Sequence, residues 1–257
     1  MTIWQSWFTG LGAMCVVAVA VWLLSLIKRD VSIVDSIWSL FFALGAGVYA
    51  LHAGFGPRAT LVLFLVCLWA LRLFIYITWR NWGDEEDHRY QAMRKKRGKS
   101  FAWQSVYIVF LLQAAIAWVV SLPLLGAAHS TTPLGLLDWM GTGIFAVGLY
   151  FEAVGDWQLA RFKADPGNRG KVMDRGLWRY TRHPNYFGDF TVWWGLYVIA
   201  LGAGAWWALP GPVIMSFFLL KVSGVALLEK DIGERRPKYA DYIERTNAFF
   251  PGPPSAA

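Results

Sequence analysis

Seven stretches of the chain are predominantly apolar, near residues 11–27, 32–53, 60–79, 105–126, 134–155, 188–208 and 209–228. A hydrocarbon core about 30 Å thick takes roughly 20 helical residues to cross, and most of the seven are close to that length. The pattern predicts an all-α fold, a polytopic membrane helix bundle of about seven transmembrane helices. Pro210-Gly211-Pro212 sits where the sixth and seventh stretches meet, and it either joins a short pair or interrupts one long element. Trp4 and Trp7 precede the first stretch as interfacial anchors, without a basic leader or a small-residue cleavage site. That stretch therefore reads as a retained helix and not as a signal peptide.

The polar positions between the stretches carry a charge asymmetry. Lys28 and Arg29 follow the first stretch, Arg80 to Lys99 hold seven cations after the third, and Arg161 to Arg182 hold seven more after the fifth. The C-terminal segment adds Lys230, Arg235, Arg236, Lys238 and Arg245, whereas the N-terminus and the 126–133 and 202–208 segments have no Lys or Arg. Because basic loops resist translocation, the N-terminus is expected outside and the C-terminus in the cytoplasm, in a multi-pass protein of the bacterial inner membrane type. A hydrophobic content of 56% and 16 Trp exclude an ordinary soluble domain. Topology explains most of the +7 net charge, so nucleic acid is not an expected partner. The partners expected are the lipid bilayer and a hydrophobic small-molecule substrate.

Cys15 and Cys67 fall within apolar stretches as small fillers, and His52, His88, His129 and His183 are scattered without ligand spacing, so neither a disulfide framework nor a metal site is expected. No glycine-rich phosphate loop follows a strand pattern. A cofactor would have to be held by the helices and their cytoplasmic loops.

Ionisable residues inside the apolar stretches are costly unless they face a cavity or a partner. They are Asp35, Arg72, Glu152, Asp156, Asp189, Lys221 and Glu229. Glu152 and Asp156 are four apart and share one helical face, with Arg161 and Lys163 just beyond; the face points either at a polar site or at a solvated helix end. Asp35 and Arg72 form either an ion pair between two helices or a polarising group above a buried substrate. The run Asp174 to Asp189 packs Arg175, Arg179 and Arg182 with His183, Asn185 and aromatic rings against the next apolar stretch, as an anion-binding site at a membrane surface would. Residues 229–247 alternate charges with Tyr239, Tyr242 and Ile243 on one face, the pattern of a short amphipathic helix lying beneath the bundle. Residues 80–102 read as a solvated connector that meets anionic head groups, or as a lid carrying Tyr90 and Trp103.

Taken together, Gly155-Asp156, the Arg175-Gly176-Leu177-Trp178 and Tyr180 to Asp189 runs, Glu229 to Tyr242, Thr246-Asn247 and Phe250-Pro251 resemble the DUF1295 group, relatives of the steroid 5-alpha-reductase C-terminal domain. The wider superfamily includes sterol reductases and isoprenylcysteine carboxyl methyltransferases. The resemblance implies one membrane domain over 1–257, with substrate-side helices in 1–130 and a nucleotide-cofactor region in 131–251. It implies an NADPH-dependent enzyme that reduces the activated double bond of an enone in a steroid-like or other lipid, in the manner of a 3-oxo-5-alpha-steroid 4-dehydrogenase. The cofactor-contacting set is then Glu152, Asp156, Arg161, Lys163, Arg179, Tyr180, Arg182, His183, Asn185, Tyr186, Asp189, Glu229, Arg235 and Tyr239. The catalytic set is Asp35, Arg72 and Tyr76, because Asp35 stands where the steroid enzymes have Glu and Trp69 where they have Tyr. Since both superfamily branches share this core, the alternatives are an S-adenosylmethionine-dependent methyltransferase of lipids or isoprenoids, or an inactive lipid-binding membrane protein.

Overall fold

A computed structural model of the protein describes residues 1–222 and 239–255. Its regular elements are helical, and the chain divides into two compact units, Met1–Gly135 with Ala200–Pro210 and Leu136–Ile199 with Gly211–Ala257.

The first unit begins with α1 (Ile3–Lys28), α2 (Ile33–Ala53) and α3 (Pro57–Arg80), and continues through α4 (His88–Arg97), α5 (Phe101–Ser105) and α6 (Leu112–Val120) to α7 (Leu122–Ala128). A π-helical turn, Val106–Leu111, joins α5 to α6. Thr2 starts α1 with a reciprocal capping box, while Gly54 at φ 81° ends α2 and Pro57 opens α3, giving a tight hairpin of two long apolar helices. Four described helical segments are long and apolar enough to cross a membrane: α1, α2, α3 and the continuous run His88–Val120.

In lipid, helices associate through close packing more than through the hydrophobic effect, so small residues sit at the crossings. Gly10 of α1 receives the Tyr49 ring and Gly45 of α2 receives Met14. The Tyr49 hydroxyl lies 2.9 Å from Ser121 Oγ, and Ser39 Oγ donates to the Ala70 carbonyl at 2.9 Å. Trp7 and Trp118 stack at 3.9 Å, each indole N–H donating to the other's carbonyl. Arg58 is buried and spends its guanidinium on Ser130, Thr132 and the Pro133 carbonyl. Trp69, the position read against the steroid enzymes' Tyr, is fully buried and its ring meets that of Phe42.

The second unit holds α8 (Leu136–Ala164), single 3₁₀ turns at Pro166–Asn168 and Gly176–Arg179, most of α9 (Pro184–Gly202), α10 (Pro210–Phe217) with a π-helical extension to Val222, and α11 (Tyr239–Arg245). The fifth, sixth and seventh predicted spans form helices here that do not reach the length and apolarity of the four above. The reasons are chemical: α8 carries Asp138, Glu152, Asp156, Arg161 and Lys163, α9 has only 19 residues and includes Asn185 and Asp189, and the Trp206–Val222 run is shorter still. Of the predicted 229–247 amphipathic helix, residues 239–247 are described; Tyr239–Arg245 is helical, with Tyr239 and Tyr242 buried and Ile243 exposed.

Glycines make the contact between α8 and α9. Gly141, Gly148 and Gly155 recur every seven residues along α8, and Gly188 and Gly195 do the same on α9. A methyl group on Gly148 would lie 2.5 Å from the Val192 nitrogen and 2.6 Å from the Gly188 carbonyl, and one on Gly195 would lie 2.6 Å from the Phe145 nitrogen. The backbones themselves are therefore the contact surface. Gly143, on another face of α8, has open space around it.

Gly148→Ala should consequently cost at least the roughly 1–3 kcal/mol of an overpacked core. Gly143→Ala should be neutral, or should gain up to about 1 kcal/mol from helix propensity. Thermal unfolding of both variants in detergent checks this contrast; equal midpoints would refute backbone contact at the seam.

Candidate functional site

The glycine seam sets the lower turns of α8 beside the first turns of α9. Gly155 packs on Pro184 and on the Asn185 nitrogen, and Gly188 packs on the backbone at Glu152. Pro184, with its fixed φ and missing N–H, opens α9. One turn of each helix therefore presents Glu152 and Asp156 together with Asn185 and Asp189, and the three acids are 3%, 4% and 7% exposed. The Asn185 amide donates through Nδ2 to Asp156 Oδ1 at 3.1 Å, which fixes the orientation of the amide group. Its Oδ1 is buried and has no hydrogen-bond partner among the described residues. A buried acceptor without a donor carries a desolvation cost of about 1–3 kcal/mol, which an incoming N–H would remove.

The run before α9 is held from its other side by residues near the C-terminus. The Arg182 N–H donates to the Asn247 carbonyl at 2.9 Å and the Gly252 N–H to the Tyr180 carbonyl at 3.0 Å, while Thr181 Oγ1 donates to the Phe249 carbonyl at 2.8 Å. Phe187 and Phe190 meet Phe249 and Phe250 edge-on. Arg182 is 7% exposed, and its guanidinium donates to the Thr246 and Ile243 carbonyls at the end of α11, where helix carbonyls lack intrahelical partners. Trp178 joins the parts: its indole N–H donates to the Gly155 carbonyl at 3.0 Å, and its own carbonyl accepts from the Tyr242 hydroxyl.

Of the predicted cofactor-contacting residues, the seam thus gathers Glu152, Asp156, Asn185 and Asp189. Arg182 and His183 are buried beside it in sequence, and the His183 and Tyr186 rings are 5.8 Å apart. Tyr239 is buried against Tyr242. Arg161, Lys163, Arg179 and Tyr180 are exposed. Glu229 and Arg235 lie outside the described residues. Sequence reasoning overlooked the glycine heptads, whose spacing was visible, and the tie of Trp178 to Gly155 and Tyr242, which no local pattern signals.

In the first unit, Asp35 meets a cation other than the predicted Arg72. Its carboxylate accepts from Arg89 Nη2 at 2.6 Å and from the Tyr90 hydroxyl at 2.8 Å. Arg72 lies over the Tyr76 ring at 5.9 Å, as does Arg80 at 5.8 Å, so two of the three predicted catalytic residues come together. The 80–102 segment is largely exposed, as a solvated connector would be, but it is tied down locally: Tyr90 is 5% exposed, and Glu86 accepts a forked pair from Arg94 at 2.7 and 2.9 Å plus the Val31 N–H at 2.9 Å. Trp103, read as a lid residue, packs on Trp22. Burial pushes the Glu86 carboxyl up, but the bonds from Arg94 and Val31 outweigh it and hold the group below the ordinary carboxylate range. Asp87, also desolvated, is likewise held low by Arg89.

Residues 21–246 match the family described as a protein of unknown function, DUF1295. The chain belongs to the DUF1295 family. It is 26% identical to the uncharacterized protein C594.04c of Schizosaccharomyces pombe, over 90% of this chain and 75% of the yeast protein. It is also 37% identical over 91 residues to a protein of Ustilaginoidea virens named probable O-methyltransferase ustE, a match covering 35% of this chain and 30% of that protein. No solved structure matches the chain significantly. A family defined without a function leaves the chemistry of this DUF1295 member to its site geometry.

The pH dependence of the Glu86 tie has a definite sign. A carboxyl whose pKa is lower folded than unfolded stabilises fully above its unfolded value, near 4.3 for Glu, and loses that contribution as pH falls through the folded value. Amide exchange of residues 86–97, corrected for intrinsic rates, should stay constant from neutral pH to about 5 and accelerate below about 4. The Glu86→Gln variant should exchange faster at neutral pH and show a shallower acid response; a profile identical to wild type would remove Glu86 from the tie.

Proposed function

We propose that this DUF1295 chain is a membrane methyltransferase that binds S-adenosylmethionine at the α8–α9 seam and methylates a lipid or isoprenoid acceptor. The observation that carries the reading is the buried Asn185 Oδ1, which has no hydrogen-bond partner among the described residues. Three carboxylates, Glu152, Asp156 and Asp189, and the unsatisfied carbonyl of Asn185 lie in one turn of each helix. Arg182 is the only Arg or Lys buried among the described residues of this unit, and helix carbonyls take its guanidinium. A buried acceptor such as Asn185 Oδ1 favours a ligand that brings an N–H group, and carboxylates beside it suit a ligand that also carries positive charge.

Residues and ligand therefore fit. S-adenosylmethionine brings a sulfonium, an ammonium and an adenine amino group, and the chemistry it supplies is an electrophilic methyl. Glu152, Asp156 and Asp189 would hold the cationic portion, and Asn185 Oδ1 would accept an N–H. The tie of Tyr180–Arg182 to residues 247–252 keeps Asn185 in register with Asp156. The partial likeness to a protein named as an O-methyltransferase supports the same branch. In this reading no hydride acceptor has to be polarised, and Asp35, bound by Arg89 and Tyr90, ties the 86–97 segment to α2.

Calorimetric titration of the detergent-purified chain tests the reading. S-adenosylmethionine should bind and NADPH should not. Asn185→Ala should weaken the binding by about tenfold, the size of one lost hydrogen bond to a charged group, with the unfolding midpoint kept near wild type. Tight NADPH binding with no response to S-adenosylmethionine would reject the methyltransferase in favour of the reductase.

A further inference from the structure

The C-terminal end of α8 carries a second concave site, on the face next to the one that holds Asp156. A cavity of about 340 Å³ is lined by Trp157, Gln158, Arg161, Asn168 and Arg175, among others. Arg161 stacks over the Trp157 ring at 5.5 Å. Neither Arg161 nor Arg175 forms a hydrogen bond or an ion pair with any described residue. One acid, Asp165, also lines the cavity; its Oδ1 accepts the Gly167 N–H at 2.8 Å and its Oδ2 the Asn168 amide at 3.2 Å, closing its own turn.

The wall is built and not incidental. Gln158 Oε1 accepts the Leu177 N–H at 3.0 Å, and Gly176, at φ +60°, lies against the Gln158 amide where a side chain would collide with it. That contact fixes the backbone immediately beyond Arg175. Two guanidinium groups against one carboxylate, beside an indole in a concave wall, leave a net positive donor set for a phosphate, which each guanidinium can grip with two parallel N–H groups. The exposed face of α8 leads to the cavity through Val147, Tyr150 and Trp157, which are 51%, 56% and 57% exposed. Aromatic rings at such positions sit at the level of lipid head groups.

We propose that this cavity binds a phosphate group, supplied by the head group of an anionic phospholipid or by a soluble phosphate compound. The site is separate from the seam and does not depend on the methyltransferase reading. The exposed face of α8 favours the lipid source, and anionic lipids concentrate at the cytoplasmic leaflet.

The test uses the full chain, delipidated in detergent and titrated with short-chain phosphatidylglycerol, short-chain phosphatidylcholine and inorganic phosphate, with binding read by native mass spectrometry. Phosphatidylglycerol should bind about tenfold or more tightly than phosphatidylcholine, and an Arg161→Gln/Arg175→Gln double variant should bring the two level. Arg169→Gln, an exposed loop change outside the cavity, should leave the preference intact. Competition by inorganic phosphate at similar concentrations assigns the site to soluble phosphates, and its failure to compete assigns it to the lipid head group. If neither anion binds better than phosphatidylcholine, or if the double variant keeps the preference, the proposal is overturned. S-adenosylmethionine binding by the double variant is measured alongside, so that failure of this site and failure of the seam are read separately.

Discussion

The second unit depends on two helix backbones touching. Where Gly148 of α8 meets α9 and where Gly188 and Gly195 of α9 meet α8, the space a methyl group would need is already filled by backbone atoms, while Gly141 and Gly155 meet the Ile199 and Pro184 side chains as well as backbone. Such an approach maximises dispersion contacts in an environment where apolar burial against lipid yields little. It also has a chemical result. With the axes so close, polar side chains flanking the glycines meet within one turn, and Asp156 reaches the amide of Asn185. Wider spacing would leave the same residues on facing helices without contact.

Among the described residues of this unit, the buried acids and the buried arginine lie in different places. The carboxylates cluster at the seam, whereas Arg182 is drawn to the open carbonyls of α11 and so serves as a helix cap. A capped helix end and a desolvated acceptor cluster are complementary uses of the same short run, because Arg182 and Asn185 are separated by the turn into α9. The exposed cations farther along α8 and in the 175–179 turn remain at the surface, where solvent and salt screen them.

In the first unit, polar ties do what glycine contact does in the second. Asp35, Glu86 and Asp87 hold the 86–97 segment to the start of α2 and to the α1–α2 turn through Arg89, Arg94 and the Val31 N–H. A stretch that composition alone describes as solvated is thereby fixed, since each carboxylate has a forked or doubled donor and Tyr90 is buried among them. Indole pairing at Trp7 and Trp118 and the Arg58 link to the 130–133 loop fasten the opposite helix ends.

Helical membrane character, the first four spans and the gathering of Glu152 with Asp156 followed from the sequence by itself, because each rests on local hydropathy or on a fixed four-residue period. The cluster around Asn185 was legible in its residue types and not in its charge. Arg182 reads as a phosphate ligand in one dimension, and only the fold brings the end of α11 close enough to claim it. The same holds for Asp35, whose partner Arg89 is 54 residues away, and for Trp178, which bridges Gly155 and Tyr242. Periodicity records which face a residue occupies, whereas the partner across that face is chosen by how closely two backbones pack, and here glycines set that distance.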